Sequence, residues 1–323
     1  QSLYFGGGTP SVLSGAQLEE LIKTAFGLFS WDIDPEITLE ANPDDLTVEK
    51  IDELAASRIN RLSIGVQSFR DSDLKMMNRI HRAEQALSSI RKAQDKGLDN
   101  ITLDLIYGIP GMDDDTWMEQ VEQAIALGVP HISSYALTVE PRTVLQHMIE
   151  KGEIPAPDED QAARQFEILW RRLLEAGFEH YEVSNFAKPG YRARHNSSYW
   201  KSVPYLGIGP SAHSFKENGR FWNISNNALY MKGVEDGHLA RESEELLEKD
   251  SFNEGIMTRL RTMEGLDLAE LGKLFSQEYL GYLKKEAEPL LQKGQLHISG
   301  KRLFIPQEWR FHTDGIAASL FYI

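Results

Sequence analysis

Strand-like and helix-like runs alternate at least five times along the first half of this chain, and few folds accept that pattern. Short runs rich in β-formers fall at 2–5, 37–41, 61–66, 101–107, 131–137 and 178–183. Between them lie segments of helical period. Ser14 or Ser11 can cap a helix through about Phe26, with Leu18, Leu21, Ile22 and Ala25 on one face. Further helices are expected over 46–56 with Thr47 as cap, and over 71–77, 83–95, 117–127 and 160–176. The three acids Asp113, Asp114 and Asp115 suit the start of the 117–127 helix, where negative charge complements the dipole. Alternation at this period predicts parallel strands joined by right-handed crossovers. It leaves a barrel and an open sheet equally available.

The residues that interrupt this regularity gather at one end of the strands. The first run opens into Gly6-Gly7-Gly8-Thr9-Pro10, where backbone groups without Cβ atoms can approach a ligand closely. Gly7 with Thr9, then Glu40, Gln67 and Asp104, all fall at or near strand C-termini, the rim where β/α barrels collect their binding groups. A shared ligand accounts for the four better than coincidence does.

Composition narrows the classes. Of 323 residues, 41% are hydrophobic and 26% charged, as in a soluble globular protein, with length enough for a large α/β domain and a smaller one. No apolar run is long enough to span a bilayer and no signal-peptide pattern is present. A formal charge of −15 argues against a phosphate-tracking surface. The absence of cysteine suits the cytoplasm and removes disulfides, thiolate metal sites and Cys nucleophiles. The chain begins at Gln1, already inside a strand, which predicts a fragment without its natural N-terminus.

Domains are expected at 1–186, 187–241 and 242–323. The middle stretch reads as irregular and aromatic-rich, carrying His195-Asn196-Ser197-Ser198-Tyr199-Trp200 and a Gly207-x-Gly209-x-x-Ala212 spacing. That spacing imitates a dinucleotide fingerprint, but Pro210 interrupts it and no helix is expected to open there. The last part predicts helices near 252–261, 268–275 and 281–293, a hairpin over 295–305 turning at Ser299-Gly300, and a closing helix over 314–321, a winged-helix-like module. From Asp250 onward ten acids face nine Lys and Arg, no footprint for nucleic acid.

Taken in order, Gly6-Gly7-Gly8-Thr9-Pro10, Glu40-Ala41-Asn42-Pro43, Gly65-Val66-Gln67-Ser68-Phe69, Asn78-Arg79-Ile80 and Asp104-Leu105-Ile106-Tyr107-Gly108-Ile109-Pro110-Gly111 resemble the radical S-adenosylmethionine (SAM) superfamily. Within it the chain is similar to the oxygen-independent coproporphyrinogen III oxidase group over nearly its whole length. Tyr181-Glu182-Val183-Ser184-Asn185-Phe186-Ala187 and the His-Asn-x-x-Tyr-Trp motif are similar to its HemW-type haem chaperones rather than to the decarboxylating oxidases. The resemblance implies an α/β fold, a partial β/α barrel here missing its first strand, with the small α+β winged-helix-like domain behind it. It implies SAM across the strand ends and a 4Fe–4S cluster in the full-length form. Carried over, Gly7, Gly8 and Thr9 meet the methionine amino end of SAM and Glu40 its ammonium. Arg79 pairs with its carboxylate, Gln67 and Asp104 take the ribose hydroxyls, and the Gly108–Gly111 loop borders the adenine. The family's haem-binding motif lands on His195, an axial ligand to haem iron by this reading and a loop histidine otherwise; His213 is the weaker candidate.

The family holds its cluster with a Cys-x-x-x-Cys-x-x-Cys loop, and this chain has no cysteine. Reductive SAM cleavage is therefore not expected of it. Two functions follow from the resemblance: a haem chaperone serving haem-accepting proteins, or an enzyme of porphyrin biosynthesis that oxidatively decarboxylates coproporphyrinogen III. The His-Asn-x-x-Tyr-Trp motif favours the first.

Overall fold

A computed structural model describes residues 1–217 and 219–323. The chain divides into two compact units, 1–195 and 196–323.

In the first unit the alternation is realised as β1 (Ser2–Phe5), α1 (Gly15–Leu28), β2 (Glu36–Ala41), α2 (Val48–Ala55), β3 (Arg61–Gln67), α3 (Asp71–Met76), α4 (Ala83–Asp95), β4 (Ile101–Tyr107), α5 (Asp114–Ala126) and β5 (His131–Ala136). They are followed by α6 (Val144–Glu150), α7 (Glu159–Glu175), β6 (Glu179–Glu182) and β7 (Asn185–Ala187). The caps explain several helix starts. Ser14 and Gln17 form a reciprocal capping box on α1, Thr47 accepts the Lys50 amide for α2, and Asp113 accepts the Thr116 amide for α5.

The seven strands make one sheet in the order β1-β2-β3-β4-β5-β7-β6, curled into a half-barrel. β1 to β5 run parallel, as expected. The 178–183 run does not continue the series. It turns tightly at residues 183–184, so that β7 comes back antiparallel to both β6 and β5. A parallel return would need a crossover of a dozen residues or more, and the chain supplies two.

Alternate residues of each strand face opposite ways, and here the two faces differ in kind. Ile37, Leu39, Leu62, Ile64, Val66, Ile101, Leu103, Leu105 and Ile132 occupy one face, nearly all without solvent contact. They share the core with Leu18, Ile22, Ile51, Leu54, Ile90, Trp117 and Phe166 from the crossover helices. The other face carries Tyr4, Thr38, Glu40, Ser63, Thr102, Asp104, His131 and Ser133, aligned by the registers Tyr4 to Thr38, Glu40 to Ser63, Ser63 to Thr102, Thr102 to His131 and Asp104 to Ser133. A slip of one residue would drive this polar row into the helix layer, so the register is strongly fixed.

α8 (Arg194–Trp200) covers the His-Asn-x-x-Tyr-Trp motif. The second unit then holds β8 (His213–Lys216), β9 (Gly219–Asn223), α9 (Asn227–Glu235) and β10 (Arg241–Glu245). The stretch expected to be irregular thus contains an antiparallel sheet in the order β10-β9-β8. Its strands lack the apolar alternation that announces a buried face; β10 is exposed along its whole length. The fingerprint-like spacing opens no helix, as expected.

The remainder comprises α10 (Glu248–Leu260), β11 (Leu266–Asp267), α11 (Leu268–Leu274), α12 (Gln277–Gln292), β12 (His297–Ser299), β13 (Arg302–Phe304) and α13 (Thr313–Ala318). The hairpin forms where expected, and β11 adds a third strand beside β13. Phe252, Ile256, Leu260, Leu271, Leu283, Leu296 and Leu303 build this part's own core.

Candidate functional site

The polar face of the first sheet brings several of the singled-out residues together. Glu40, next to last in β2, accepts the Tyr4 hydroxyl at 2.7 Å and the Gly7 amide at 3.2 Å. Gly7 and Gly8 have φ of +73° and +82°, a conformation open to glycine at little cost, and there is open space around both. Gly6 is glycine for another reason: a Cβ there would lie 2.6 Å from the Tyr4 ring and 2.9 Å from Glu40 Oε1. Thr9 is exposed and precedes a 3-10 turn over Pro10–Val12, with no side-chain cap bond.

Gln67 ends β3 at φ +68°, an uncommon backbone for a side-chain-bearing residue, beside a register shift between Ile64 and Gln67. Its amide folds back over Gly65, where a Cβ would come within 2.8 Å of Nε2. Asp104 stands mid-strand in β4 rather than at the rim. Burial pushes its carboxyl up to about 7; the Ser133 hydroxyl opposes this, Glu40 adds to it, and Arg61 and Arg79 oppose it. Arg79 is exposed in the turn after α3, and its charge is felt at Asp104.

The Gly108–Gly111 loop is held by two glutamines one turn apart on α7. Gln165 Oε1 accepts the Gly108 amide at 2.7 Å and its Nε2 donates to the Met112 carbonyl at 2.9 Å, while Gln161 Nε2 donates to the Ile109 and Met112 carbonyls at 3.0 and 2.8 Å.

His195 lies in the first turn of α8, not in a loop. Its ring stacks on Tyr4 with centroids 4.5 Å apart and planes 17° apart, and Nδ1 is 2.9 Å from the Ser2 hydroxyl. Buried Glu36 accepts the Arg194 and His195 amides, both at 2.9 Å, an acid at a helix N-terminus. Buried Arg61 lies 4.0 Å from Glu36 and donates to Thr102, Asn100 and the Tyr191 carbonyl. Burial lowers the pKa of the His195 imidazole, against the pull of Glu36, so the ring is neutral near pH 7. His213 is exposed on β8 with its ring beside Trp222 at 5.9 Å.

Tyr4, Glu36 and Arg61 were not singled out in the sequence. The signal for them is the period-2 polarity within otherwise apolar strands, Ser2/Tyr4, Glu36/Thr38/Glu40 and Arg61/Ser63. Tyr4 is the junction, its ring against His195 and its hydroxyl on Glu40.

Two family models match the chain, that of the radical SAM superfamily over residues 1–124 and that of the HemN C-terminal domain over 246–311. The haem chaperone HemW of Mycobacterium tuberculosis is 35% identical over 99% of this chain and 80% of its own length. The chain belongs to the HemW family of the radical SAM superfamily. HemW of Bacillus subtilis is 32% identical over 95% of the chain and 82% of its own length. Coproporphyrinogen III oxidase (HemN) from Escherichia coli shares the fold, with a TM-score of 0.83 at 22% identity over 99% of this chain and 77% of that one. Glu40 and the Asp104 carboxyl, which feels both Glu40 and Arg79, have the chemistry that suits a zwitterionic, hydroxyl-bearing ligand such as SAM. A 4Fe–4S cluster, which radical SAM members hold by thiolates, does not fit the residues present. The chain has no cysteine, and among the described residues no group of three or more His, Asp and Glu is arranged to hold a metal. No described helix is long and apolar enough to cross a membrane.

Proposed function

We propose that this HemW-family chain is a haem chaperone, which binds haem and passes it to haem-dependent proteins in the cytoplasm. The observation that carries the reading is similarity along almost the entire chain to proteins named as haem chaperones. His195 supports it physically: an axial ligand must be a neutral imidazole, and burial favours that form here. Nδ1 lies 2.9 Å from the Ser2 hydroxyl, a bond that helps set the orientation of the ring. Stacking on Tyr4 and the Glu36 bonds to the start of α8 fix the ring's position before haem arrives.

SAM is the second ligand of this reading. Glu40 takes its ammonium, beside Gly7, Gly8 and Thr9; Arg79 takes its carboxylate; Gln67 and Asp104 take the ribose hydroxyls. This chain's own residues bind and orient the cofactor and carry no step beyond that.

Haemin titration of the chain beside His195→Ala, followed by absorbance, tests the proposal. Stoichiometric binding with a Soret shift that the variant loses is expected. Weak binding, identical in both, refutes His195 as ligand. Protoporphyrinogen formation from coproporphyrinogen III by a full-length form that carries the cysteine loop would favour the oxidase reading instead.

A further inference from the structure

Two buried donors in the second unit stand without an acceptor among the described residues: Trp200 Nε1 and Arg261 Nε. They are neighbours. The Arg261 guanidinium lies over the Trp200 ring, its carbon 5.1 Å from the ring centroid. Leaving a buried N–H unbonded forfeits its hydration with nothing in return, so two side by side are costly unless something else uses them. The far side of the guanidinium is already committed, with Nη1 donating to Asp314 at 2.6 Å. Asp314 is largely exposed and reaches only that outer nitrogen, so it anchors Arg261 and leaves the inner N–H open. Cation–π contact in turn fixes the guanidinium relative to the indole. The two N–H atoms are shielded from water although both side chains keep partial exposure, so a ligand that reaches them meets desolvated donors suited to an acceptor with two oxygens, and a carboxylate is one, each N–H···O bond being about 2.9 Å long.

We propose that Trp200 and Arg261 form a carboxylate-binding site that takes a propionate side chain of the porphyrin. This rests on the haem-chaperone reading and adds to it which end of the ligand these residues recognise. Trp200 closes the His-Asn-x-x-Tyr-Trp motif, and the site gives it a role distinct from that of the histidine. Asp314 lowers the net charge of the site, so recognition comes from directed donors and distinguishes the carboxylate from its uncharged ester.

The test pairs two ligands with three proteins. Haemin and haemin dimethyl ester, whose propionates are blocked, are titrated into the full chain, Trp200→Phe and Arg261→Met. Phenylalanine keeps the ring under the guanidinium and removes only the N–H, and a thermal melt checks that each variant is folded. The wild type should prefer haemin over the ester by about tenfold or more, as for a hydrogen bond to a charged group. Trp200→Phe should lose several-fold of that preference through weaker haemin binding, with ester affinity unchanged, and Arg261→Met should lose more. Equal affinity of the wild type for both ligands overturns the inference and leaves the chaperone reading intact. So does an undiminished preference in both variants. If the wild type binds neither porphyrin, the chaperone reading falls and this site's assignment falls with it.

Discussion

Asp104 offers the most quantitative check on the polar face. Burial, the first cause, pushes its carboxyl up to about 7 in the native chain from an ordinary value of 3.8. Below about pH 4 the group is protonated in both folded and unfolded chains and contributes nothing. Between about 4 and 7 the native state holds a proton that the unfolded chain has released, so stability falls as pH rises. Above about 7 the carboxylate is charged in both states and the full penalty applies. A shift of about three units corresponds to about 4 kcal/mol. Asp104 keeps some solvent contact, and relaxation with water reaching the charged form reduces this to about 2 kcal/mol. Asp104→Asn keeps the shape and removes the charge. The variant should match the wild type near pH 4, gain on it through pH 7, and exceed it by about 2 kcal/mol at pH 8. Urea denaturation at a series of pH values measures the difference, and exchange of the β4 amides reports on this sheet in particular. A difference that is flat with pH, or that favours the wild type at pH 8, refutes the desolvation argument.

Two further outcomes follow from the same face. Glu36→Gln leaves the buried Arg61 without its carboxylate and weakens the acceptor for the first amides of α8, so a loss of about 3 kcal/mol in denaturant unfolding is expected, together with an altered haemin spectrum. Tyr4→Phe keeps the stack on His195 and deletes the bond to Glu40. It should cost about 1–2 kcal/mol and change SAM affinity, measured calorimetrically, more than haemin affinity.

The parallel β/α series was legible because each element declares itself locally. Thr47 caps where a cap was expected, the three acids open α5 with Asp113 as its cap, and the β-rich runs recur at crossover spacing. The antiparallel return of β7 was less so: the run ending at Val183 says nothing by itself about which neighbour the next three residues will pair with. The sheet of β8, β9 and β10 escaped for a different reason, since its strands bury no continuous apolar face and so show no period.

The site divides in the same way. Gly7, Glu40 and Gln67 stood out because they fall at or near strand C-termini, where the structure puts them, whereas Asp104 lies mid-strand in β4. Sequence alone determined that much, because side-chain alternation along a strand is a property of the local backbone. Only the tertiary structure decided that His195 stacks on Tyr4, that Glu36 caps the helix carrying it, and that Arg261 lies over Trp200. The first two join residues more than 150 positions apart and the third joins residues about 60 apart. No local pattern encodes such meetings; they exist because the whole fold brings distant segments together, and the donors and acceptors then find partners or are left waiting for a ligand.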